Sequence, residues 1–285
     1  REEGSCVFII LCKTRPSFIV HGDDWFPSRW RFTVCLVLFA WQAHPRYPLI
    51  LAANRDEFHQ RPTADADFWD DAPEILAGRD LQAGGTWLGV NRGGRFSAIT
   101  NYREPSERGA VAGRSRGQLV REFLAGRSSP ADHAAGVKDD ASNYEGFNLL
   151  VGNRQSLNYV SNRSEDVIAV EPGVHGLSNH LLDTAWPKVE AGRDHLGELL
   201  QEEEVEPESL FELLSDRSLT PGEMPGDIEK HLAPERMMKH YFIVSDVYGT
   251  RSSTVLLLKQ DGSIFLSERQ FNAQGQATGT RRFSL

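Results

Sequence analysis

The hydrophobic pattern of this chain is orderly from Val34 onward and irregular before it. "CLVLFAW" (residues 35–41) and "YPLILAANRD" (47–56) are apolar runs of strand length around the Pro-bracketed turn "QAHPRYP", which predicts a hairpin. The following stretch, "EFHQRPTADADFWDDAPEILAGRDLQAGG", is rich in Pro, Asp and Gly and predicts a loop. A second hairpin is expected where "TWLGV" and "RFSAITNY" flank "NRGG", whose glycines supply positive φ. Residues 114–124 have the apolar spacing of a helix with Ser115 as N-cap, and Pro130 opens a second short helix. "GFNLLVG", "SLNYVSN" and "DVIAVEP" read as strands; 186–200, 207–214 and 227–240 read as helices. The chain closes with strands in "YFIVSDVYG" and "SSTVLLLKQDGSIFLSERQF", turning at Asp261-Gly262. Hairpins, then helices, then hairpins indicate antiparallel sheet with helices packed on it, an α+β layered arrangement. With no repeat, low-complexity tract or linker, one domain is expected over residues 34–285.

Residues 1–33 differ in character. "HGDDWFPSRWRF" crowds aromatic, acidic and basic residues without a period of 2 or 3.6. The first residue is Arg1, and no methionine precedes Met224. The expectation is that Val34 is a GUG start codon read as valine, so that the chain begins Met-Cys. Removal of the methionine then makes Cys35 the N-terminal residue, and residues 1–33 a non-native upstream extension or a disordered segment. The alternative is a genuine extension, with Cys35 an inert strand residue.

Composition narrows the function classes. A net charge of −9 and a pI near 5.5 argue against a polyanion grip on nucleic acid or an anionic membrane surface. Cys6, Cys12 and Cys35 form neither a disulfide framework nor a CxxC metal spacing, which fits a reducing, cytoplasmic setting. No apolar run approaches the roughly 20 residues of a bilayer span. In "CVFIILC" the acidic Glu2 and Glu3 come first and Lys13 and Arg15 follow, the reverse of signal-peptide charge order. The expected partner is a small-molecule ligand or substrate, with no nucleic acid and no integral membrane segment. Oligomeric state is not legible.

"LILAANRDEFHQRP", "GGTWLGVNRGGRFSAITNYREP", "GFNLLVG", "HGLSN", "WPK" and "YGTRSSTVLLL" occur in the order in which the NRDE family carries them. Across residues 34–285 the chain therefore resembles that family, named for the tetrapeptide at Asn54-Arg55-Asp56-Glu57 and including the animal transport and Golgi organisation proteins. Members characteristically begin Met-Cys. The resemblance implies a fold similar to the N-terminal nucleophile (Ntn) hydrolases, a four-layer αββα sandwich with antiparallel sheets, and in particular to the choloylglycine hydrolase and penicillin V acylase group.

The chemistry such residues support follows from their types. An N-terminal cysteine is a self-contained nucleophilic device, because its α-amino group, with an ordinary pKa of about 7.7–8.0, serves as base for its own thiol. The acylase group surrounds its cysteine with an arginine, an aspartate and oxyanion-donating asparagines. By that resemblance the catalytic candidates are Cys35, Arg55, Asp56, Asn101, Asn179 and Arg251. Arg55 is expected to lower the thiol pKa, Asp56 to hold the ammonium, Asn101 or Asn179 to stabilise an oxyanion, and Arg251 to place a charge near a substrate carboxylate or the nucleophile. Each has a plainer reading. Cysteine is commonly buried, Arg55 and Asp56 could form a structural ion pair, and asparagines terminate strands. Asn54 and Glu57 are assigned to structural support.

The expected activity is that of an amidohydrolase on a small amide or acyl amide, with no cofactor required. The alternative, implied by animal relatives, is a non-catalytic protein that binds and traffics haem or acyl-CoA and lipid, with Golgi organisation and secretion among the associated roles. "MMKHYF" offers Met and His as haem ligands, although such residues are more often core or surface. The glycines of "GGTWLGVNRGG" lack the strand-to-helix context of a dinucleotide fingerprint and the Gly-Lys-Ser/Thr ending of a P-loop. The histidines lack HxxxH and HExxH zinc spacing, so no metal is expected.

Overall fold

The computed structural model describes residues 35–103, 113–217 and 239–285. The expected first hairpin forms from β1 (Leu36–His44) and β2 (Tyr47–Phe58), with Leu36 opposite Asn54 and Trp41 opposite Leu49. Both strands are continuous apolar runs because both faces of their sheet are covered. Leu36, Leu38, Ile50 and Ala52 enter one core, while Val37, Phe39, Leu49 and Leu51 enter another.

The chain continues through β3 (Thr63–Trp69), β4 (Ala72–Asp80), β5 (Leu88–Asn91), β6 (Phe96–Asn101), α1 (Gly117–Ala125) and α2 (Pro130–Asp139). There follow β7 (Phe147–Gly152), β8 (Leu157–Ser161), β9 (Ile168–Ala169), β10 (Gly173–Leu177), α3 (Pro187–Leu199), α4 (Pro207–Leu214), β11 (Tyr248–Leu258), β12 (Ile264–Phe271) and β13 (Ala277–Ser284). One sheet has the order β10-β1-β2-β11-β12-β13 and the other β3-β4-β5-β6-β7-β8-β9, with neighbouring strands antiparallel throughout. Phe39, Leu51 and Leu256 of the first sheet meet Leu88, Phe96 and Leu150 of the second in a shared core. α3 and α4 cover the outer face of the first sheet through Val189, Leu196, Leu210 and Phe211. α1 and α2 cover the second through Val120, Phe123, Ala134 and Val137. The result is the α+β, Ntn-hydrolase-like αββα sandwich that the resemblance implies.

Several elements depart from the sequence pattern. The stretch expected to be a loop after β2 contains β3 and β4. β3 is an edge strand, and its exposed Asp65 and Asp67 are the charges that protect a sheet edge from further pairing. Those same charges give it the composition of a loop. β13 is hidden for the same reason, being a mostly exposed edge strand with Arg281 and Arg282. Residues 241–247 do not extend β11 as expected, because Thr250 donates its N–H to the Ile243 carbonyl at 2.9 Å and folds the segment back. α1 starts at Gly117 after Arg116, not after a Ser115 cap, and the Thr86 N–H bonded to the Gly117 carbonyl at 3.2 Å pins that first turn. The second helix begins at Pro130 as expected, and the Ser129 hydroxyl accepts from the Asp132 N–H at 3.1 Å. Gly94 and Gly262 take the positive φ that their turns require, +80° and +98°. Most of the helix expected at 227–240, together with Met237 and Met238, lies outside the described residues, as do Val34 and 1–33.

A buried carboxyl links the sheets. Glu268 of β12 is 2% exposed; it accepts from the Ala66 N–H of β3 at 2.8 Å and from Gln270 Nε2 at 2.9 Å. Burial pushes this carboxyl up to about 7. Because the folded value lies above the unfolded one, its stabilising contribution is complete at low pH and is lost as pH rises through about 7. Glu268→Gln keeps an acceptor oxygen without the charge. The variant is expected to be more stable than the parent at pH 8, by on the order of 2 kcal/mol, with the gap closing at pH 5. Paired thermal melts at the two pH values check this, and a gap independent of pH would contradict it.

Candidate functional site

Strand registers place the candidate residues together. Extending the β1–β10 pairing, in which Val37 faces Leu177, sets Cys35 opposite Asn179; extending the β1–β2 pairing, in which Leu36 faces Asn54, sets Cys35 opposite Arg55. The cysteine thus lies just before β1, flanked by residues of both neighbouring strands. Its N–H donates to Asn179 Oδ1 at 3.1 Å, its carbonyl accepts from the Ser178 hydroxyl at 2.6 Å, and its sulfur lies 3.9 Å from the Asp56 carbonyl. The Ser178–Asn179 segment is tied to the second sheet. Thr100 Oγ1 donates to the Ser178 carbonyl at 2.6 Å, and Asn179 Nδ2 donates to the Asn101 carbonyl at 2.9 Å.

Alternation along β2 separates the motif residues. Asn54 and Asp56 share the face of Ala52, towards α3 and α4, whereas Arg55 and Glu57 share the face of Ala53, towards the second sheet. Arg55 and Asp56 therefore form no structural ion pair. The Arg55 guanidinium stacks 4.3 Å from the centre of the Trp87 ring, donates to Thr63 Oγ1 at 3.3 Å, and pairs with Glu57 at 3.6 Å. Asp56 Oδ1 accepts from the Thr250 hydroxyl at 2.6 Å. That contact depends on a bulge in β11: Thr250 faces Asp56 and Ser252 faces Arg55, leaving Arg251 as the extra residue. Arg251 Nη1 donates to the carbonyls of Phe58, His59 and Arg61 at 2.8, 3.0 and 3.3 Å, holding the chain as it leaves β2.

Electrostatics set the resting state of the thiol. Burial pushes Cys35 up to about 12; the Asp56 charge adds to that rise, while the Asp56 carbonyl contact and Arg55 oppose it. The expected lowering by Arg55 is present but outweighed, so the thiol of the folded chain rests protonated. Burial likewise pushes Asp56 up to about 7, against the Thr250 bond and the Lys188 and Arg55 charges.

Sequence reasoning missed Ser178 and Thr250 as partners of the candidates, Trp87 as the platform for Arg55, and Lys188 as a charge beside Asp56 and Cys35. The adjacency of Ser178 and Thr250 to Asn179 and Arg251 was the available signal. For Lys188 there was only its place in "WPK". Among the described residues no group of three or more His, Cys, Asp or Glu could hold a metal ion, and no helix is long and apolar enough to cross a membrane.

These layers and registers define an Ntn-hydrolase-like αββα sandwich with a half-buried cysteine just before its first strand. The chain belongs to the Transport and Golgi organisation 2 family, which it matches over residues 34–273. It is 33% identical over 276 residues to the mouse (Mus musculus) Transport and Golgi organization 2 homolog, covering 88% of this chain and 99% of that protein. The human (Homo sapiens) homolog is 34% identical over 257 residues, covering 83% and 92%. Among solved structures, the Caenorhabditis elegans N-acylethanolamine-hydrolyzing acid amidase ortholog superposes with a TM-score of 0.42 at 12% identity, covering 78% of this chain and 92% of that one.

Proposed function

We propose that this chain is an amidohydrolase that cleaves a small amide or acyl amide through Cys35. The observation that carries the reading is the placement of Cys35 between Asn179 and Arg55, with its backbone nitrogen already held by the Asn179 side chain at 3.1 Å. In the form that begins at Cys35, that nitrogen is an amine, which takes the thiol proton. The sulfur attacks the amide carbon, an S–C bond forms, and the carbonyl electron pair moves to oxygen. Asn179 Nδ2 carries two hydrogens and gives one to the Asn101 carbonyl, so the other is available to the oxyanion. Collapse breaks the C–N bond, and the amine leaves with the proton held by the Cys35 ammonium. Water then attacks the thioester, releasing the acid and restoring the thiol. Among the described residues no observation favours the carrier reading, haem or acyl-CoA binding, over this one.

The test is capture of the intermediate. After brief incubation with a fluorogenic N-acyl amide and an acid quench, the peptide containing Cys35 is expected to carry the acyl mass, sensitive to hydroxylamine, while free amine is released. Neither an adduct nor amine release across a panel of acyl lengths would sink the proposal.

A further inference from the structure

The "WPK" motif has no role in the chemistry above, yet its lysine occupies an unusual position. Lys188 is the second residue of α3, 1% exposed, and its Nζ has no hydrogen-bond partner. Pro187 begins the helix, and Trp186 packs on the helix-side core. The position is costly for an ammonium: it is out of water, and it lies at the helix end where the backbone dipole disfavours a cation. Such a cation needs an anion nearby. Asp56 lies on the face of β2 that α3 and α4 cover; it is 2% exposed, with Oδ1 bonded to Thr250 and Oδ2 without a partner. Two buried, opposite, unpartnered polar atoms thus lie on the helix side of the site, with the Cys35 sulfur against the Asp56 backbone.

We propose that Lys188 is a positioning residue for the nucleophile: from the helix layer its ammonium offsets the Asp56 carboxylate, so that negative charge on the Cys35 sulfur is balanced and not opposed. The proposal rests on the amidohydrolase reading and adds to it the charge that lets the thiol ionise. Among the described residues, charges reach this group from both layers. Arg55 and Glu57 act from the sheet-to-sheet face of β2, Arg116 from the start of α1, and Asp56 and Lys188 from the helix side. Burial pulls Lys188 down to about 8, and the charges of Asp56 and Cys35 oppose that fall. The influence is reciprocal, so the ammonium favours the thiolate as the thiolate favours the ammonium.

The test needs no substrate. The rate at which iodoacetamide alkylates Cys35 is followed from pH 6 to 11 by mass spectrometry of its peptide, which separates it from Cys6 and Cys12. Lys188→Met is expected to slow alkylation about tenfold below pH 8, where the parent lysine is charged, with the two curves converging as pH rises past about 8. Asp56→Asn is expected to move the rate curve to lower pH. A Lys188→Met curve that superimposes on the parent's, or moves to lower pH, overturns the proposal. If Lys188→Met does not fold, the Lys188 ammonium is titrated by ¹⁵N NMR in the parent and in Asp56→Asn. A downward move on loss of the carboxylate supports the pairing, and an unmoved titration overturns it. A thioester on Cys35 with unmoved alkylation curves defeats this proposal alone, whereas shifted curves without any thioester defeat only the hydrolase reading.

Discussion

Cys35→Ala is expected to lower amide hydrolysis at least 10³-fold while leaving the melting temperature within about 2 °C of the parent. The two halves of this result have different origins. Covalent catalysis has no substitute for its nucleophile: once the sulfur is gone, no thioester forms, and the remaining groups bind and polarise an amide that nothing attacks. The fold loses little, because what anchors this residue is its backbone. The N–H to Asn179 and the carbonyl to Ser178 survive the substitution, and the side chain contributes one 3.9 Å sulfur contact. Steady-state kinetics with a thermal melt on the same preparation checks both. Hydrolysis that persists in the variant would place the chemistry elsewhere, whereas loss of both together would make Cys35 a folding residue.

The legibility of this site in the sequence follows from how its parts are positioned. Arg55, Asp56 and Asn101 sit at ends of strands whose apolar runs were readable, and Asn179 lies two residues past β10, so their neighbourhood could be expected once the strands were paired. The consequences of alternation were readable only with the layers in hand. Whether Arg55 and Asp56 touch depends on both faces of β2 being covered, and one buried environment takes the guanidinium while another takes the carboxylate. Thr250 stands next to Arg251 in the sequence, but its contact with Asp56 was not legible, because it is made through a bulge and a bulge adds a residue without marking the pattern. Lys188 was beyond reach because a lysine near the start of a helix reads as solvated. The misread strands β3 and β13 carry edge charges that are indistinguishable by composition from a loop.

Asn54→Ala is expected to destabilise the protein by about 4 kcal/mol, a fall in melting temperature of roughly 10 °C. Asn54 is 2% exposed on the helix side of β2, and its amide is fully engaged. Nδ2 donates to the Leu214 carbonyl at 2.9 Å and to the Tyr241 carbonyl at 2.7 Å, while Oδ1 accepts from the Ser253 hydroxyl at 2.5 Å. Leu214 ends α4, where helix carbonyls have no partner within the helix. The asparagine supplies that partner and joins in one side chain the end of α4, the segment before β11 and β11 itself. Alanine leaves two buried carbonyls and a hydroxyl without partners, each costing about 1–3 kcal/mol. The loss also reaches the site, since Asn54 precedes Arg55 and Asp56 on the same strand and fixes that stretch against the helix layer from which Lys188 acts. Calorimetric melts measure the effect, and a change below about 1 kcal/mol would mean that α4 and the Tyr241 segment are held to the sheet by their apolar contacts alone.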